Sequence, residues 1–119
     1  MEEEIYQMMV ATTEDQDELI LENTTTLKVA RWWNRACDII PCNGGKDIGI
    51  QKILDYFNFN KEEAMAFGDG GNDISMLKYV GTGVAMGNAK DNVKAIADYI
   101  TDSVQEDGIV SALKHFEIL

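Results

Sequence analysis

Two hydrophobic rhythms follow one another along the chain. In residues 1–40 short apolar runs are separated by polar ones. Glu4 to Ala11, EIYQMMVA, mixes β-branched, aromatic and Met residues as strands do. Thr13 and Gln16 have capping-box spacing, and Glu14 and Asp15 suit the positive end of a helix dipole, so a short helix is expected to about Leu21, ended by Asn23. Thr25 to Trp32 alternates apolar and polar side chains like a half-buried strand, and Ala36 to Ile40 is a further apolar run. The predicted order is β-α-β-β.

Pro41 to Gly45, PCNGG, holds the only proline and two adjacent glycines. It is the strongest break in the sequence, and a domain boundary or hinge is expected there, with residues 1–40 on one side and 41–119 on the other. Beyond it the rhythm becomes regular. Helices are expected at Lys46 to Phe57, Asp73 to Val80, Asp91 to Ala97 and Gly108 to His115, with strands at Ala64 to Phe67, Gly83 to Met86 and Tyr99 to Thr101. Strands and helices alternating through short connections predict an α/β fold, a parallel sheet with flanking helices.

One stretch of this alternation carries chemistry. Ala64 to Leu77, AMAFGDGGNDISML, reads as strand, tight acidic loop and helix. Ligands of open α/β sheets bind at the carboxyl ends of the strands, so Asp69 and Asp73 are placed for function. Together with Asn72 they offer oxygen ligands of the kind Mg2+ takes, since that ion keeps several waters and needs only one or two carboxylates beside a substrate phosphate. For Asp73 an N-terminal cap on the following helix is an equal alternative. Lys46 stands in the first turn of a helix whose apolar face is Ile50, Ile53, Leu54 and Phe57, where a cation opposes the dipole. Behind Asn43-Gly44-Gly45 it can help to hold a phosphate, and the alternative is a solvated lysine beside Asp47.

Composition narrows the partners. The chain has 119 residues, 45% hydrophobic and 26% charged, as expected of one soluble globular unit. Its 21 acidic and 10 basic residues give a net charge of -11, which argues against nucleic acid and anionic membranes as partners. A phosphate ligand would need a metal ion or local cations. Cys37 and Cys42 form no CxxC and have no histidine pair nearby, so neither a zinc site nor a disulfide framework is expected, and a reduced, cytoplasmic setting fits. No run approaches the roughly 18 apolar residues of a membrane span. The N-terminus, MEEEIYQMM, is acidic where a signal peptide is basic, and so few polar residues precede the first strand that the chain reads as cut into.

Gly68-Asp69-Gly70-Gly71-Asn72-Asp73 followed by Met76-Leu77, the helix-leading Lys46 upstream and Gly83-Val84-Ala85-Met86-Gly87-Asn88-Ala89 downstream resemble the Cof-type haloacid dehalogenase-like phosphatases. The resemblance covers Asn43 to about Phe116. It implies a Rossmann-like core of which residues 41–119 are the C-terminal half, with residues 1–40 as the last part of an inserted α/β cap. It also implies that Asp69 coordinates Mg2+, Asp73 supports the metal site, Lys46 neutralises and orients the substrate phosphate, and Asn72 hydrogen-bonds it. The family's reaction transfers the phosphoryl group of a small metabolite, most often a sugar phosphate, to an aspartate and then hydrolyses the aspartyl-phosphate.

The sequence departs from that family in one respect. The DxDGT-type nucleophile motif is absent, as is the second motif with its Ser or Thr. The only D-x-D, Asp15-Gln16-Asp17, falls in an expected helix. The chain is therefore expected to be inactive alone and to self-associate or be completed by another polypeptide. Two other classes compete with an enzyme: a non-catalytic interaction or regulatory fragment, and a calcium-binding module, because GDGGND also looks like one turn of a calcium-loaded β-roll. The β-roll needs tandem copies, and the sequence has one. A dinucleotide fingerprint fails because Asp73 stands where its third glycine would be. Arg31, Trp32, Trp33 and Arg35 form a cationic-aromatic cluster that serves either substrate recognition or packing. His115 is expected to be structural, and Asn88 to line the crevice or simply to turn the chain.

Overall fold

The computed structural model describes residues 4–119. Met8–Val10 (β1), Leu27–Trp33 (β2) and Ala36–Pro41 (β3) form an antiparallel sheet in the order β1-β3-β2, with the short helix Asp17–Leu21 (α1) against β2. The expected β-α-β-β order is observed. The first strand is shorter than its apolar run because Met8 pairs with Ile39, so two positions further back the partner would be Pro41, which has no N–H to extend the ladder. Lys28 pairs with Ile40 and Ala30 with Asp38, so these four side chains share one face. Cys37 and Ile39 are buried on the other.

A second sheet is parallel, Met65–Gly68 (β4), Thr82–Ala85 (β5) and Tyr99–Ile100 (β6) in the order β4-β5-β6. Lys46–Phe57 (α2), Ile74–Tyr79 (α3), Asp91–Lys94 (α4) and Gly108–His115 (α5) alternate with its strands. This is the predicted α/β arrangement. Its core joins Ala66 and Ala85 of the sheet to Leu77, Val80, Ala89 and Val93. α3 lies so close to β5 that a Cβ on Gly83 would stand 2.3 Å from the Leu77 carbonyl oxygen, so only glycine fits there.

The differences from the predicted elements lie at their ends. α3 starts at Ile74 because Gly71–Asp73 is a 3-10 turn. α4 stops at Lys94, and the chain tightens through Ile96 N–H to Val93 and Ala97 N–H to Lys94 before Asp98 docks on Gly83. The Asp98 carboxylate accepts the Gly83 N–H at 2.7 Å and its own N–H donates to the Gly83 carbonyl at 2.8 Å. On α2 only half of the expected apolar face is covered: Ile50 packs against the core, whereas Ile53 and Phe57 are 60% and 61% exposed.

β4 is an edge strand among the described residues. The Ala64 and Gly68 carbonyls accept N–H groups of Thr82 and Met86, so by alternation Met65 and Phe67 present their backbone groups to the open side. The two sheets meet where β2 lies on the 3-10 turn Gly71–Asp73. Among the described residues no helix is long and apolar enough to cross a membrane.

Candidate active site

The acidic loop is built around the Asp73 carboxylate. Because the loop turns into a 3-10 helix before α3, Asp73 points back along the chain, and its Oδ2 accepts the N–H groups of Asp69 and Gly70, each at 3.0 Å. Its Oδ1 accepts the Lys46 ammonium from the first turn of α2. Asp73 therefore does not cap α3 with its side chain, one of the two roles open to it from sequence. It closes the loop on itself and ties the loop to α2. The residue is buried, and burial alone would push its carboxyl pKa up. Lys46 and the two backbone donors outweigh that and hold it below the ordinary value.

Asp69, at the end of β4, is exposed. Its Oδ2 accepts the Asn88 Nδ2–H at 3.0 Å, and the Asn88 Oδ1 accepts the Val104 N–H at 3.0 Å. Asn88 thus faces the crevice. Lys46, Asp69, Asp73 and Asn88 line one cavity of about 480 Å3, whose remaining wall includes Phe67, Met86, Val104 and Ile109. Lys46 also borders a second cavity of about 620 Å3 between the sheets, lined by Asn72, Ser75 and the β2–β3 face with Lys28 and Asp38. Asn72 lines that second space, which shares Lys46 with the first. So the structure brings together the four residues singled out by sequence, Lys46, Asp69, Asn72 and Asp73, around two adjoining cavities.

The cationic-aromatic cluster is dispersed. The Arg31 guanidinium is held by Asp17 and by the carbonyls of Thr12 at 2.8 Å and Trp33 at 3.3 Å, so it braces α1 against β2. Arg35 is exposed at the hairpin turn, and Trp33 is 51% exposed. His115 stacks on Tyr99 with ring centroids 4.2 Å apart, joining α5 to β6. Sequence reasoning overlooked Lys28 and Asp38. Both lie in strands recognised from their pattern, but only the register of β2 on β3 sets them on one face toward the cavity.

A family model described as haloacid dehalogenase-like hydrolase matches residues 1–113. The protein YkrA of Bacillus subtilis (strain 168) is 40% identical over 116 residues, which are 98% of this chain and 45% of the relative. YitU of the same organism, a 5-amino-6-(5-phospho-D-ribitylamino)uracil phosphatase, is 44% identical over 89 residues, 72% of this chain and 33% of that protein. The solved structure of the subclass IIB sugar phosphatase BT4131 superposes with a TM-score of 0.91 at 44% identity, over 98% of this chain and 45% of its own. The chain thus spans about half the length, or less, of the relatives it matches.

Proposed function

Because the chain belongs to the Cof-type haloacid dehalogenase-like hydrolases, we propose that it supplies the C-terminal half of a Mg2+-dependent phosphatase for small phosphorylated metabolites, sugar phosphates foremost. One observation carries this reading. Lys46 from the start of α2 and Asp69 and Asp73 from the loop after β4 converge on one cavity at the carboxyl end of a parallel strand.

The residues divide the work. Lys46 is half exposed in its side chain, so beside its bond to Asp73 it has N–H groups free to hold and neutralise a phosphate. Asn72, on the adjoining cavity, donates a further hydrogen bond to that phosphate. Among the described residues the Asp69 Oδ1 carries no hydrogen bond, whereas both Asp73 oxygens are engaged. No group of three or more His, Cys, Asp or Glu among the described residues is placed to hold a metal. Mg2+ would be held by Asp69 and supported by Asp73 acting through the loop, with waters and the substrate phosphate as its further ligands. When bound, the ion supplies charge neutralisation on the phosphoryl oxygens.

The aspartate nucleophile lies outside these residues, since no DxDGT-type sequence is present among them. The open edge of β4 and the apolar wall of Phe67, Met86, Val104 and Ile109 beside Asp69 favour completion by a further strand. On this reading residues 1–40 are the end of a cap, residues 41–119 are half of the core, and the whole enzyme is cytoplasmic. The exposed Ile53, Tyr56 and Phe57 also suit a non-catalytic interaction fragment. A calcium β-roll fits poorly, because Asp73 leads into a helix.

The test is an aryl phosphate assay in Mg2+. The chain alone should give no turnover, and addition of a polypeptide carrying the DxDGT-type strand should restore it. Asp69→Asn and Lys46→Ala in the completed pair should each lower turnover by about 100-fold or more. Failure of every completing polypeptide to restore turnover would favour the interaction fragment. Activity that survives Asp69→Asn would overturn the assignment of the site.

A further inference from the structure

Lys28 and Asp38 are opposite charges held apart on one face of the antiparallel sheet. Lys28 pairs with Ile40 and Ala30 with Asp38, so the ammonium and the carboxylate stand diagonally across β2 and β3, within reach of a long side chain. They do not join. Among the described residues the ion pairs are Arg31–Asp17 and Lys46–Asp73, and no side-chain hydrogen bond engages Lys28 or Asp38, although both are half-buried. Both instead line the cavity of about 620 Å3 between the sheets, as does the short Ala30 opposite Asp38. The same cavity reaches Lys46. A Cβ on Gly45 would stand 3.6 Å from the Lys28 Nζ, and with φ at +139° position 45 favours glycine, which leaves that gap open. Gly45 precedes Lys46, so the Lys28 ammonium lies beside the turn that delivers the phosphate-binding lysine of the proposed site.

We propose that Lys28 and Asp38 determine specificity by gripping neighbouring hydroxyls on the part of the substrate beyond its phosphate. This rests on the phosphatase reading above, with Lys46 on the phosphate. Lysine only donates and a carboxylate only accepts, so a group held by both must accept at one point and donate at the next. Two neighbouring hydroxyls do this and carry no charge. A second phosphate would suit Lys28 and be repelled by Asp38, and a lone ammonium would meet the reverse. Asn72 and Ser75, from the loop and α3, offer the same cavity further hydrogen bonds for hydroxyls.

The experiment titrates the 119-residue chain by nuclear magnetic resonance with glucose 6-phosphate, with cyclohexylmethyl phosphate, whose ring has no hydroxyls, and with O-phosphoserine, which carries an ammonium and a carboxylate. Glucose 6-phosphate should bind about ten-fold more tightly than cyclohexylmethyl phosphate and shift the Lys28 and Asp38 amides. Lys28→Met and Asp38→Asn keep the side-chain shape, and each should cut that ratio several-fold. Charge alone would leave the ratio as it is and move both affinities, down in Lys28→Met and up in Asp38→Asn. Circular dichroism reports folding, and one folded variant suffices. An unaltered ratio in a folded variant, a parent ratio near one, or a preference for O-phosphoserine overturns the hydroxyl grip. Lys46→Ala separates this from the phosphate site, because it should weaken all the probes alike. While it does, failure of the ratio counts against Lys28 and Asp38 alone. Binding that survives Lys46→Ala, or absence of binding by every probe, removes the phosphate site and the grip falls with it.

Discussion

Lys46 and Asp73, separated by 27 positions, form an ion pair in which the carboxylate is buried and the ammonium is half exposed. The asymmetry decides what each contributes. Asp73 is the hub of the acidic loop, since it also accepts two backbone N–H groups, while Lys46 reaches from the loop's neighbour into the cavity. Removing the hub strands three donors. Removing the ammonium leaves the loop's own bonds in place.

Asp73→Ala should therefore destabilise the chain by about 2–3 kcal/mol, the net loss of three hydrogen bonds to one carboxylate, and Lys46→Ala by less. Urea unfolding followed by circular dichroism measures both. Equal losses would mean that the backbone bonds to Asp73 contribute little.

The same carboxyl sets an acid limit. Its folded pKa lies below its ordinary value because Lys46 and the N–H groups of Gly70 and Asp69 outweigh the opposing effect of burial. A depressed carboxylate adds stability that is complete above the unfolded pKa and is lost as pH falls through the folded one. Stability should thus begin to decline as pH drops below the ordinary Asp range. The decline should be shallower in Asp73→Asn, as read from unfolding midpoints between neutral and acid pH.

A methyl group on Gly71 would stand 2.8 Å from the Arg31 carbonyl oxygen, where β2 rests on the loop. Gly71→Ala should cost about 1–3 kcal/mol or push the antiparallel sheet away from the loop. Faster amide exchange across β2, with β5 unchanged, is the expected signature.

Thr101 is buried, and its hydroxyl donates to the Gly108 carbonyl at 2.6 Å. Thr101→Val keeps the shape and removes the donor, at a cost of about 1 kcal/mol. The loop bearing Val104 should exchange its amides faster. An unaltered loop would show that it is held elsewhere.

Much of this was legible in the sequence where the local signal is strong. α2 and α5 run as their periodicity predicts because each has a full helical face, and the acidic loop announces itself by three glycines and two aspartates in six residues from Gly68 to Asp73. Three of the 3-10 turns were not legible. The 3-10 turns Lys61–Glu63, Gly71–Asp73 and Val104–Glu106 are too brief to carry a period, and one of them reverses the direction of the Asp73 side chain. Asn88 could be placed near the crevice, but its two partners are 16 and 19 residues away, and no local pattern encodes such a pairing.

Between the two sheets the closest approach at Gly71 is to a carbonyl of β2, not to one of its side chains. The residues of β2 and β3 that face the larger cavity, Lys28, Ala30, Asp38 and Ile40, play no part in that contact. Their identities can drift without unseating the strand. On the proposed reading, what the larger cavity recognises would be inherited separately from what the acidic loop does to it.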